Sequence, residues 1–200
     1  GSIAVTRYRV VHGGVEHTAV HEARVMAELT WQGRSARRIA VRETISTAGE
    51  PDQVFSGNHY LRLNGSSVEL VGTEAMFRQA GVSRTQTLRL EPPQTEVDYG
   101  LAVGGERESR SAVGVQVTVS PAGAGFDSLA RIRFVGFETL GVPAGRFQDA
   151  CKFVLELAGP VPRSSTRWLA QGSGVMLRSE SGDSVQELLS ATLDGREVEP

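Results

Sequence analysis

Alternation is the first thing the chain shows. From Val15 to Trp31 the odd positions read Val15, His17, Ala19, His21, Ala23, Val25, Ala27, Leu29, Trp31, while Glu16, Thr18, Glu22, Arg24, Glu28 and Thr30 fall between them. Successive side chains of a strand point to opposite sides, so this pattern predicts one long strand with a covered face and a wet face. A helix would scatter the same residues around its circumference.

The neighbouring stretches continue the theme. Val5–Val11 is a β-rich run, and Gly13-Gly14 after it reads as a hairpin turn. Gln32-Gly33-Arg34-Ser35 is a second turn. Beyond it Ile39, Val41 and Ile45 alternate with Arg38, Arg42 and Thr44. Ser46–Gly57 is dense in breakers and reads as a loop. Asn64-Gly65 predicts a tight two-residue turn between strands at Tyr60–Leu63 and Ser67–Val71. Thr73–Ala80 reads as one short helix, capped by Thr73, packed through Met76, Phe77 and Ala80, and ended by Gly81.

Thr85–Leu90 is a short strand that Pro92-Pro93 should end, with a meandering connection from Pro92 to Arg110. Ala112–Val119 alternates again, and Pro121–Gly125 reads as a turn. Strands follow at Leu129–Leu140, Ala150–Leu157, Ser165–Ala170, Gly174–Glu180 and Ser184–Leu193. In the last, Val185, Leu189, Ala191 and Leu193 share a side with Glu187 as the exception, and residues 195–200 form a polar tail. About a dozen strands and at most one or two short helices point to an all-β, antiparallel sandwich or barrel rather than a parallel sheet. Residues 1–200 read as a single such domain, with 1–3 a flexible start, and without an exact internal repeat.

Composition narrows the roles. The chain has 200 residues, 40% apolar content, 22% charge and a net charge of −2. A general nucleic-acid surface needs a basic excess or stripe, so nucleic acid is not an expected partner. One cysteine, Cys151, rules out an intrachain disulfide. No stretch approaches a transmembrane helix. Gly1-Ser2 has the look of a cleaved-tag remnant, so a natural leader is expected to have preceded the sequence.

Candidate chemistry is sparse. His17 and His21 fall on the apolar face of one strand, where they read as hydrogen-bonded histidines of a core or cavity. A metal set would need a third ligand such as His59 or Glu43. Cys151 alternates with Phe153, Leu155 and Leu157, the setting of a buried, inert thiol. Gly172-Ser173-Gly174 lacks the spacing of a nucleophile elbow, and the glycine pairs lack the lysine of a phosphate loop. Glu138, Glu156 and Glu187 lie within apolar strands, outward-facing or at edges. Trp31 and Trp168 suit either a core or a pocket wall. No catalytic residue, metal or cofactor is indicated.

The C-terminal part carries a likeness. Val142, Pro143, Ala144, Gly145 and Phe147 make a Val-Pro-Ala-Gly-x-Phe turn, and Trp168, Gly172, Gly174, Val175 and Glu180 a Trp-containing strand with Gly-x-Gly-Val. Phe134–Leu193 thereby resembles a broad group of bacterial envelope proteins of unknown function. That group is similar to the lipoprotein-carrier (LolA-like) superfamily. The resemblance implies a curved antiparallel sheet, an incomplete barrel around an apolar cavity, and a periplasmic, outer-membrane-anchored or secreted home.

The expectation is therefore a non-catalytic envelope protein. Its concave sheet would bind an apolar or amphipathic small molecule, such as a lipid, or an envelope protein partner. His17, His21, Trp31, Phe134 and Trp168 are the residues expected to line the ligand cavity. The alternatives are an enzyme using that cavity, with His17, His21 or a buried Glu as acid or base, and a structural subunit joined through a sheet edge.

Overall fold

A computed structural model describes residues 1–79, 82–118 and 120–200. The strands are β1 (Ile3–His12), β2 (Val15–Trp31), β3 (Arg34–Thr47), β4 (Gln53–Asn64), β5 (Ser67–Gln79), β6 (Val82–Asp98) and β7 (Glu106–Val117). After them come β8 (Ser120–Val142), β9 (Gly145–Ala158), β10 (Arg163–Leu169), β11 (Met176–Ser181), β12 (Ser184–Leu193) and β13 (Arg196–Glu197). Each strand pairs with the next, antiparallel, and β1 also pairs with β12. The result is a closed twelve-stranded up-and-down barrel, with β13 added on one margin of β12.

Closure corrects the expected incomplete barrel. It follows from the full-length ladder between β1 and β12, from Ala4 opposite Leu193 to His12 opposite Ser184. The described residues contain no helix. Thr73 to Gln79, expected to be helical, extend β5, where Glu74, Ala75 and Met76 pair with Thr87, Gln86 and Thr85 of β6. Sheet pairing overrides a weak helical preference there, and Met76 is half exposed rather than packed. Ala80 and Gly81, the rest of that helix and its stop, lie outside the described residues.

Other expected breaks are also absorbed into strands. Pro92-Pro93 does not end β6. The two prolines fall where Leu90 to Pro93 bulge out, between the pairs Gly72–Arg89 and Leu70–Gln94, so no ladder donor is lost. The meandering connection shrinks to residues 99–105. The expected turn at Pro121–Gly125 is part of β8, the breakers of 46–57 leave a loop of only 48–52, and the turn beside Asn64 is Gly65-Ser66. The polar tail folds back as β13, and Val198 packs on the core.

Which face is which follows from register, because directly opposed residues share a side. Arg167 of β10 reaches Glu96 of β6 at 3.5 Å, though these strands are not neighbours, so Arg167 points into the lumen. Phe153, Phe134, Leu155 and Ile132 share its face through the β8–β10 ladders. The opposite face carries charge: Arg131 beside Glu106, Glu108 and Glu156, and Arg9, Glu187 and Arg178 in a chain. Glu187, an exception by strict alternation, is regular once the extra residue Leu189 is seen to swap the inner positions of β12 from Gln186 and Leu188 to Ala191 and Leu193.

The same device occurs in β2. Met26 and Ala27 lie between the pairs Val25–Ile39 and Glu28–Arg37, two residues against one. The odd positions therefore face inward up to Val25 and outward from Leu29. Trp31 lies flat on Tyr60, with ring centroids 4.4 Å apart, and with Ala36 and Val71 forms an outer-face cluster. The tip of the β2–β3 hairpin folds over that cluster to pair Arg34 with Glu91 of β6. The other half repeats the arrangement. Val71 is an extra residue beside Tyr60, and Leu177 an extra residue beside Trp168. There the tip of β8–β9 folds across, and the Ala144 N–H donates to the Leu188 carbonyl at 3.0 Å.

Candidate functional site: the barrel lumen

The inner face of the wall is not fully covered. A compact protein of 21.4 kDa is expected to expose about 9,100 Å², and this one exposes 11393 Å². Two inner-face aromatics show where part of the surplus lies. Phe55, opposite Glu43, stays 42% exposed, and Phe126, opposite Val113, stays 39% exposed. A packed core would cover both.

Polar groups punctuate this wall. His17 and Thr47 are opposed in register, and the His17 ring nitrogen lies 2.8 Å from the Thr47 hydroxyl. His21 Nε2 is 2.9 Å from Glu43 Oε1, and the Tyr8 ring meets the imidazole edge-on at 5.3 Å. The contact with His21 holds the Glu43 carboxyl below the usual glutamate range, although partial burial opposes it. His59 is solvent-reached, yet enough protein surrounds it to push its imidazole below the ordinary histidine range, while Glu96 pulls the other way. His59 stands apart from the His21–Glu43 pair, and no group of three metal-ligating side chains exists among the described residues.

Of the residues expected to line the cavity, His17, His21 and Phe134 share the inner face. Phe134 packs with Phe153 at 5.0 Å and with Phe137 at 5.1 Å near one mouth. Trp31 and Trp168 do not join them, since both lie on the outer face. The Trp168 indole N–H donates to Glu138, with Lys152 and Arg178 over its ring at 4.9 and 5.7 Å. Cys151 is buried beside Phe153, and burial pushes its thiol up. Sequence reasoning missed Phe55, Phe126, Glu96 and Arg167. The alternation of Phe153 with Cys151 and Leu155 identifies an inner row, but nothing in the sequence says that Arg167 lies opposite it.

No family model matches the chain, and no curated protein matches its sequence. A solved structure from Bacteroides fragilis, described as "a putative exported protein with YmcC-like fold", is similar in fold. Its TM-score is 0.53 at 15% sequence identity, and the match covers 95% of each chain.

Proposed function

We propose that this is an extracytoplasmic, non-catalytic binding protein whose lumen holds a small amphipathic molecule. The observation that carries the reading is the exposure of Phe55 and Phe126 on the inner face of a closed wall. Apolar surface turned inward and left wet is the usual floor of a ligand cavity. The described fold similarity to an exported protein supports the compartment.

Several features weigh against other readings. The wall closes on itself, so a subunit joined through a free sheet edge has little to pair with. The outer wall bears ladders of charge where a membrane-spanning barrel carries an apolar band. No helix among the described residues is long and apolar enough to cross a membrane. In the His21–Glu43 pair, Glu43 is held ionised, which makes it a poor proton donor near neutrality.

Native mass spectrometry of gently purified protein tests the reading. The expected result is a retained mass that disappears on denaturation, and uptake of an apolar fluorescent probe by the emptied protein. Phe55→Gln with Phe126→Gln should weaken uptake without lowering the melting temperature. A bare mass together with no probe uptake overturns it.

A further inference from the structure

One mouth of the lumen has a distinct chemistry. A cavity of about 690 Å³ opens between β2 and β5, lined by Val25, Ile39, Leu61, Leu63 and Val68, with Glu28 and Arg37 and the polar rim of the β2–β3 turn among them. That volume lies within the range of about 300–1,000 Å³ typical of small-molecule sites. Register puts these residues on the inner face. Val25 opposes Ile39, Arg37 opposes both Glu28 and Leu61, and Leu63 opposes Val68. Val68 in turn opposes Val97, which packs on the Phe134–Phe153 cluster across the lumen. Leu63 is 76% exposed, so the apolar floor has no protein cover at that end.

The arginines around it are not equivalent. Arg34 is engaged by Glu91, and Arg62 Nε lies 2.6 Å from Glu69. Arg37 has no carboxylate within ion-pair distance among the described residues. Its cross-strand neighbour Glu28 accepts a hydrogen bond from the Ser35 hydroxyl instead. One uncommitted guanidinium therefore stands over an uncovered apolar floor. Its planar fork of donors suits a carboxylate or a phosphate.

We propose that this mouth binds the anionic head, carboxylate or phosphate, of a single-chain amphiphile, with Arg37 reading the charge and the tail lying along Val25, Ile39, Leu61 and Val68. The proposal rests on the lumen being a binding cavity and adds the sign of the head group and the residue that selects it.

The test uses the full chain and a fluorescent polyene fatty acid, compared with its methyl ester, below the concentration at which either forms micelles. Wild type should bind the ionised acid about tenfold more tightly than the ester, the ratio expected of one charge-assisted hydrogen bond at a wet rim. Arg37→Gln should abolish that preference while leaving ester binding and the melting temperature unchanged. Glu28→Gln should widen it, by removing a like charge, and added salt should narrow it. Equal binding of acid and ester, or a preference that survives Arg37→Gln, overturns the head-group site while the cavity reading stands. Failure of both probes to bind overturns both. Inorganic phosphate or acetate displacing the acid at equal concentration would make this a site for a free anion and overturn the amphiphile.

Discussion

Asp98 and Arg107 face each other at 2.9 Å across the gap where β6 parts from β7. Asp98 is 1% exposed, and its other oxygen accepts from the Ser66 hydroxyl at 2.7 Å and the Gly100 N–H at 2.9 Å. Burial alone would raise this carboxyl. The donors from Ser66, Gly100, Arg107 and Ser67 outweigh it and hold the group below the usual aspartate range. A depressed carboxyl contributes stability that is present above its unfolded pKa of about 4 and is lost as pH falls through the folded value. Asp98→Asn should cost about 3 kcal/mol at neutral pH. It should also flatten the acid limb of a stability–pH curve measured by denaturant titration.

The Trp31–Tyr60 stack gives a test at the other end of the pH scale. The Tyr60 hydroxyl donates to Glu74 at 2.6 Å, and burial followed by that carboxylate pushes its pKa up to about 12. A raised phenol stabilises the fold fully below its unfolded value of about 10 and loses that contribution as pH climbs beyond it. Stability should therefore fall between pH 10 and about 12, and Tyr60→Phe should remove much of that fall in an alkaline melting series.

Gly72 is the space into which Trp31 fits. A Cβ there would lie 2.2 Å from the Trp31 ring and 2.3 Å from the Leu88 carbonyl oxygen. Neither the ring nor the backbone can give way cheaply. Gly72→Ala should destabilise by at least as much as Trp31→Ala, for which about 3–5 kcal/mol is expected, read from equilibrium unfolding.

His59 offers a readout of the lumen itself. Its depressed folded pKa means that stability is present above the unfolded histidine value of about 6.5 and is lost as pH falls. Glu96 raises that pKa, so Glu96→Gln should lower it further in an NMR titration of the imidazole. The same substitution releases Arg167 from its cross-lumen contact.

Strand period was legible because it is local chemistry. The bounds of β2 and β12 follow from Val15–Trp31 and Ser184–Leu193, and Gly13-Gly14 and Gln32-Gly33 turn where glycine permits it. Facing was less legible, because one extra residue reverses everything beyond it. Trp31 shares its parity with Val25 yet points the other way, since Met26 and Ala27 occupy the space opposite a single Arg38. Pro92-Pro93 misled for a related reason, as a bulge tolerates what a ladder does not. The lumen residues Glu96 and Arg167 come from strands that never pair, and no local pattern announces such a meeting.

All but one of the strand pairings join neighbours in sequence. The exception joins β1 to β12, with nearly the whole chain between them, through nine or so opposed residues from Ala4–Leu193 to His12–Ser184. Such a seam zips late, because so long a loop must be closed before it gains any contact. Until then the ribbon lies unrolled, with two bare margins and its greasy lining in view of other chains. Substitutions along β1 and β12 should thus be felt first as clumping during refolding, before any loss appears in the finished ring.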